Sequence, residues 1–396
     1  MKAVVVGPGR IGCGFAGQAL RDSGYEVVFL ARNPVMAEHL DRLGRYRVWV
    51  TEGGRTHERW VEPVRAACLR DRERALEEIA RADVVLTAVG AGSLPVVAPL
   101  IAAGLARRTT GANVLGLENL RRATRKLREL VLAHLPTAAH ATRHGFSGGL
   151  VHRVVARRVG DPSGGEPLAF VSDSPEEFHV DATSLIAPLP AIRGMIATDR
   201  YEAFVERKLY TYSAGHAALA YLGHLKGYRY VHTAVRDPEI RAAVLAAMAE
   251  GQRGLAARYG HELAGDERLL HDILARFENA GLGDRIQRVG RDPRRKLAAD
   301  ERLVGAARLA ERAGYRPRNL ALAAAAALCF VDADDPSSTE MHDEVGRAGP
   351  DRIIQRVCGL SPERGLGRRV CEDCKHLFNG HGPESLLLSL RAHLWS

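Results

Sequence analysis

Between Phe204 and His216 the chain reads Phe204-Val205-Glu206-Arg207-Lys208-Leu209-Tyr210-Thr211-Tyr212-Ser213-Ala214-Gly215-His216, and its proton-carrying residues fall at helical spacing. Lys208, Tyr212 and His216 recur at steps of four, and Ser213 lies three before His216. An unbroken helix would set an amine, hydroxyls and an imidazole along one side. Oxidising an alcohol by hydride transfer requires a base for the hydroxyl proton and donors for the alkoxide that develops. A desolvated lysine beside polar partners can be tuned toward a neutral pKa, so Lys208 fits the base. The same spacing also describes an amphipathic helix with a solvated lysine and a satisfied histidine, and spacing does not choose between the two.

A second chemical signal opens the chain. The β-branched run 2–6 leads into Gly7-Pro8-Gly9-Arg10-Ile11-Gly12, with helical sequence from Ile11 to Asp22 and a second apolar run at 26–30. In a strand, glycine loop and helix of this order, Gly7 permits the turn, Gly9 lets backbone approach a pyrophosphate and Gly12 lets helix pack on strand. Arg10 and Ile11 open the helix whose amides would face the phosphates. A glycine turn without a ligand is the alternative, and the correct order of all four parts argues against it. At the end of the second run, where a carboxylate commonly holds the ribose of NAD, the chain has Ala31-Arg32-Asn33. A small residue followed by arginine leaves room and charge for a 2′-phosphate, so NADP is favoured over NAD. Arg32 stacking on adenine or pointing into water remains open.

These two signals need separate elements to position them. With 396 residues the chain exceeds what one core usually serves, so two domains are expected, 1–190 and 191–396. Candidate strands at 2–6, 26–30, 46–51, 83–89 and 113–117 alternate with helical sequence, which builds a doubly wound parallel α/β sheet. Beyond about Asp199 the segments 201–225, 237–259, 266–279, 300–313 and 317–331 all have helical length and period, so the second domain is mainly α-helical. The proline-bearing stretch from Ala187 to Ala191 reads as the extended linker between them.

Composition narrows the function further. Lys and Arg number 56 against 47 acidic residues, a net +9, but arginine is spread along the chain with no basic arm, so no nucleic-acid partner is expected. The longest apolar run, ending at Val331, is too short to cross a bilayer, and the amino-terminal residues lack a signal-peptide pattern; a cytoplasmic enzyme with no membrane partner is expected. Six cysteines in this length do not make a disulfide framework. Cys371-Glu372-Asp373-Cys374-Lys375-His376, with His381 nearby, has the look of half a zinc site, but a second ligand pair at proper spacing is missing, so no metal is expected.

The chain resembles the polyol-specific long-chain dehydrogenases, the mannitol dehydrogenase family. The resemblance rests on the Gly7 to Phe15 segment, Thr87-Ala88-Val89-Gly90, Glu118-Asn119, Phe204 to His216, Arg276-Phe277-Glu278-Asn279, and Arg288 to Leu297, in that order along the chain. It implies a Rossmann-type domain followed by a mainly helical one, with the site between them, and a polyol, ketose or sugar-phosphate substrate. It implies that Lys208 is the general base and that His216 contacts the substrate oxygen. Asn119 is implied to lie near the nicotinamide and bind the reacting oxygen, with Ala88, Val89 and Gly90 lining the cofactor; by chemistry alone Asn119 is equally a strand-end turn residue. Arg288, Arg291 and Arg294, with Arg295 and Lys296, lie in a stretch that contacts substrate in relatives, although all five cannot face one cleft.

Two departures stand out. Ser213 occupies a position where relatives carry asparagine, exchanging a two-headed amide for a shorter hydroxyl. His152 stands before Arg153 where relatives have aspartate, removing an acidic substrate contact and supplying an imidazole that could donate to another group or protonate a leaving hydroxyl; a plain surface substitution is the alternative. Both changes motivate a rival reading, a redox-neutral dehydratase or epimerase that oxidises transiently, eliminates water and re-reduces. Oligomeric state is left at monomer or small homo-oligomer.

Overall fold

The structure, a computed structural model, describes residues 1–118, 122–137 and 142–379. The chain divides into two compact units, Met1–Tyr201 and Glu202–Ser396.

The strands of the first unit are β1 (Lys2–Val6), β2 (Glu26–Ala31), β3 (Tyr46–Glu52), β4 (Arg55–Val61), β5 (Val64–Cys68), β6 (Val84–Thr87), β7 (Asn113–Gly116), β8 (Gly145–Val151), β9 (Val155–Val159), β10 (Ala169–Ser172), β11 (Phe178–Asp181) and β12 (Met195–Thr198). Among the described residues eight of them form one sheet in the order β12-β11-β8-β7-β6-β1-β2-β5. All neighbours run parallel except β8 and β11. Strand β1 is central, with Val4 paired to Val28 of β2 and Val85 of β6. Because successive side chains point to opposite faces, Ala3 and Val5 join one buried cluster while Val4 and Val6 join another. The second cluster is closed by helices Arg72–Arg81, Leu94–Ala106 and Ala123–Leu132. Burial on both faces is what the unbroken Val4-Val5-Val6 run dictates.

Strand β3 departs from expectation. Instead of extending the parallel sheet it joins a separate four-stranded sheet, β4-β3-β10-β9. Its burial alternates, Tyr46 and Val48 inward and Arg47 partly out, which is the pattern of a strand with one solvated face. Its hairpin partner β4 is exposed from Arg55 to Trp60 and could not lie in a doubly covered sheet. The place beside β2 is taken by β5. The stretch expected as a linker, at 187–191, leads into β12, which pairs with β11 inside the first sheet.

The described part of the second unit is helical. Helix Pro238–Tyr259, capped by Asp237 accepting from the amides of Glu239 and Ile240, packs against Ala214–Leu225, Val304–Arg312 and Arg318–Leu328. Residues 320–328 are all buried, so the apolar run there is a core helix. Among the described residues no helix is long and apolar enough to cross a membrane.

Candidate functional site

In the first unit β1 ends at Gly7, whose φ of +102° is the left-handed conformation glycine tolerates. A Cβ there would lie 2.8 Å from Ala88 O, and one on Gly12 would lie 2.0 Å from Gly7 O. At Gly9 a Cβ would meet nothing nearer than Ala88 O at 3.9 Å, so the surface there is open. Two glycines are thus required by close packing inside the turn, and the third leaves room for a ligand's backbone approach. The first intrahelical bond runs from Cys13 N to Gly9 O at 2.9 Å, so the amides of the turn before it are the unsatisfied donors that receive phosphate at helix starts. These features fit a dinucleotide pyrophosphate. Arg10 and Ile11 differ in how their side chains are used: Arg10 Nη1 donates to Ala156 O at 3.2 Å, and Ile11 packs on the core. Replacing Gly12 with alanine is expected to lower stability by about 2 kcal/mol, because backbone must shift, and to abolish dinucleotide binding; thermal unfolding and a cofactor titration check both.

At the end of β2, Ala31 is buried and Arg32 is exposed, its carbonyl accepting from Cys68 Sγ at 4.0 Å. Asn33 caps helix Pro34–Leu43, accepting from Val35 N at 2.9 Å. On the other side of β1, the loop Ala88-Val89-Gly90 follows β6, and Glu118 holds it in place. The Glu118 carboxylate accepts from Thr87 Oγ1 at 2.9 Å and from Val89 N at 3.2 Å. Burial pushes this carboxyl above its usual range, and hydrogen bonds from Thr87, Val89 and its own backbone amide partly offset that. Asn119 lies outside the described residues.

His152 follows β8, and its Nε2 lies 3.1 Å from Nδ1 of His179 on β11, the two rings meeting edge to face at 5.2 Å. One ring must donate and the other accept, so this pair holds at least one neutral imidazole. The next residue, Arg153, is buried, and its Nη1 donates to Gln18 Oε1 at 2.8 Å in the helix that follows the glycine turn.

In the second unit the chemical segment is continuous helix of changing pitch. Helix Tyr201–Lys208 passes into a π-helical turn, Leu209–Ser213, and then into helix Ala214–Leu225. In a plain α-helix a residue five positions on lies about 140° round the cylinder. A turn closed by i→i+5 bonds returns it nearly above its starting residue. The π turn therefore brings Ser213 round to the side of Lys208, and His216, three further along, follows. Two contacts accompany the widened turn: Thr211 Oγ1 donates to Arg207 O at 2.6 Å, and Gly251 leaves space for Tyr210 O where a Cβ would stand 2.1 Å away. Lys208 is partly buried; Ser213 is buried.

His216 is held on three sides. Its ring stacks on Phe277 at 4.9 Å and 16°, meets Tyr212 at 5.7 Å, and its Nε2 donates to Asp284 Oδ2 at 3.3 Å. Asp284, only 4% exposed, accepts from Arg288 Nε at 2.5 Å and Nη2 at 2.6 Å. Burial works against the Asp284 charge, but the bonds from His216 and Arg288 outweigh it and hold the carboxyl well below the usual carboxylate range. For His216 burial dominates and depresses its pKa; Asp284 opposes this, while the charges of Arg288 and Lys296 add to it. Lys296 is buried, donates to Val289 O and Arg291 O, and has its own pKa lowered by that burial.

The arginines of this stretch are thus dispersed. Arg288 belongs to the His216 cluster through Asp284. Arg291 is exposed, while Arg294 pairs with Glu344 at 2.9 Å and Arg295 with Asp292 at 2.6 Å. Three groups escaped the sequence reading as functional: Asp284, His179 and the carboxylate of Glu118. Only Asp284 carried a local signal, its position four residues before Arg288. Cys371 and Cys374 lie in helix Gly365–Phe378, both buried, and His381 lies outside the described residues.

A doubly wound sheet with a glycine turn at the end of its central strand defines a dinucleotide-binding α/β unit, here followed in the chain by a helical unit bearing a lysine, serine and imidazole. Residues 1–194 match the mannitol dehydrogenase Rossmann domain and residues 200–356 the mannitol dehydrogenase C-terminal domain. The chain belongs to the mannitol dehydrogenase family and is an NAD(P)-dependent dehydrogenase. It is 36% identical over 383 residues to mannitol-1-phosphate 5-dehydrogenase of Bacillus licheniformis, covering 95% of this chain and 100% of the relative. With the enzyme of the same name from Geobacillus thermodenitrificans it shares 35% over 389 residues, 95% of this chain and 99% of the other. The fold is also that of mannitol 2-dehydrogenase from Pseudomonas fluorescens, solved as a ternary complex with NAD and D-mannitol (TM-score 0.79, 17% identity, 99% and 94% of the two chains). A D-sorbitol dehydrogenase solved in substrate-free form gives a TM-score of 0.75 at 16% identity, over 96% and 94%.

Proposed function

We propose that this chain oxidises a secondary alcohol of a polyol or polyol phosphate, or runs the reverse reduction of a ketose or its phosphate, in the cytoplasm. Residues 1–190 hold the cofactor and contribute Asn119 and His152 to the substrate, and 191–396 supply the base and the other substrate contacts. The observation that carries this reading is the π turn, which sets Lys208, Ser213 and His216 toward one side of a single helix. A bound nicotinamide supplies the acceptor for the hydride leaving the alcohol carbon. Lys208 takes the hydroxyl proton, and Ser213, His216 and Asn119 hold the oxygen as its charge develops. The His216 imidazole is kept in register by Phe277 and Asp284. Because Nε2 is committed to Asp284, the ring meets substrate through Nδ1. The exposed Arg291 favours an anionic substituent such as a phosphate. Arg288, held by Asp284, and Arg294, held by Glu344, would each have to leave a carboxylate to contribute. His152, tied to His179, supports a role at a substrate hydroxyl that the aspartate of relatives does not fill in the same way.

Cofactor choice is proposed to favour NADP, on the exposed Arg32 beside buried Ala31. The test is incubation of the purified chain with polyols, ketoses and their phosphates and with both cofactors, following reduced nicotinamide by absorbance and product by mass spectrometry. The expected result is one reduced cofactor per oxidised product, with a preference for NADP that Arg32→Glu reverses by roughly tenfold or more, since one charge is replaced by its opposite beside the phosphate. Product lighter by one water without accumulated reduced cofactor would replace this reading with the redox-neutral elimination. Absence of turnover with every substrate would overturn it.

A further inference from the structure

Glu118 is a buried carboxylate whose charge has no protein partner among the described residues: it is 9% exposed, and no lysine, arginine or histidine there pairs with it. Its hydrogen bonds do not explain the charge. A glutamine would also accept from Val89 N or Thr87 Oγ1 without the penalty of burying an anion. Oε1 accepts from the Val89 amide, which can only donate, and Oε2 shares a hydrogen bond with the Thr87 hydroxyl, which donates to the ionised carboxylate and accepts from the protonated one.

Its place in the sheet says what the charge faces. The chain passes from β1 to β2 on one side and later to β6 on the other, so the crevice for a dinucleotide opens at the carboxyl ends between β1 and β6. With the pyrophosphate at the Gly9 opening and the adenosine half running toward Ala31 and Arg32 at the end of β2, the other half must run over the ends of β6 and β7. Thr87 ends β6, Val89 follows it, and Glu118 follows β7. The nicotinamide ring is cationic when oxidised and neutral when reduced, so an anion at this place distinguishes the two forms.

We infer that Glu118 supplies the fixed negative charge that favours the oxidised over the reduced nicotinamide, an assignment that rests on the cofactor reading given above. The electrostatic effect is separable from its positioning of Val89, because a misplaced loop weakens both forms whereas a lost charge weakens one.

The test is the ratio of dissociation constants for the oxidised and reduced forms of whichever nicotinamide the wild type binds tighter, measured by fluorescence titration without substrate. In Glu118→Gln the oxidised form is expected to lose roughly tenfold or more relative to the reduced form. Glu118→Met, of equal length and without a mismatched amide, should show the same shift, and serves if the glutamine variant fails to fold by circular dichroism. An unchanged ratio, or equal loss of both forms, overturns the inference and leaves the dehydrogenase assignment standing. Failure of the wild type to bind either nicotinamide overturns both.

Discussion

Lys208→Met is expected to lower kcat by about a thousandfold or more while leaving cofactor affinity within about twofold, because it removes the base and none of the glycine turn. Methionine matches the length and apolar stem of lysine, so packing around the π turn is kept. The loss then reads the proton transfer alone. Small exogenous amines should restore part of the variant's rate. Steady-state rates with and without added amine, with a cofactor titration beside them, check each part. Full activity in Lys208→Met would remove the proposed base.

Asp284→Ala is the second large effect, and it should appear in stability as well as rate. The carboxylate is buried between His216 and the two-pronged contact of Arg288, and its removal strands a guanidinium and frees an imidazole at once. Breaking a buried pair costs about 3–5 kcal/mol; the Arg288 side chain is 29% exposed and recovers some hydration, so about 3 kcal/mol or somewhat less is expected. Activity should fall through loss of His216 orientation, with kcat falling and cofactor affinity unchanged. The pH dependence has a defined sign. The Asp284 carboxyl is held well below its usual range in the folded state, so its contribution is present above the unfolded value of about 4 and fades only as pH falls further toward the folded value. The stability gap between wild type and Asp284→Asn is therefore expected to be flat from about pH 7 to 8, where His216 is neutral in both, and to close in strong acid once Asp284 itself is protonated. Denaturant unfolding at several pH values measures it, and the absence of any gap at about pH 7 to 8 would show that the charge is not what stabilises the cluster.

How much of this was legible beforehand varies with distance along the chain. The β1-turn-helix unit was readable because its constraints are local: Gly7 and Gly12 are required by atoms within a few residues, and the β-branched run at 2–6 needs burial on both faces. The helices of the second unit were readable for the same reason, from their length and helical period and from the apolar segment ending at Val331. Strand β3 was placed in the wrong sheet because an apolar run marks extension but not neighbours; its alternation, and the polar β4 beside it, were the unused clue. The steps of four from Lys208 to His216 mark an α-helical turn, and nothing in the residue spacing marks the wider pitch of the π turn between them.

By itself the amino-acid order determined the dinucleotide turn, the two-part architecture and the set of proton-carrying residues on one helix, since each follows from backbone sterics or hydrophobic period over short spans. Only tertiary structure decided that a π turn swings Ser213 toward Lys208, that Asp284 joins His216 to Arg288, and that Glu118 lies buried against the β6 loop. Those outcomes depend on which surfaces meet and what burial does to a charge, and both are settled by residues far apart in the chain.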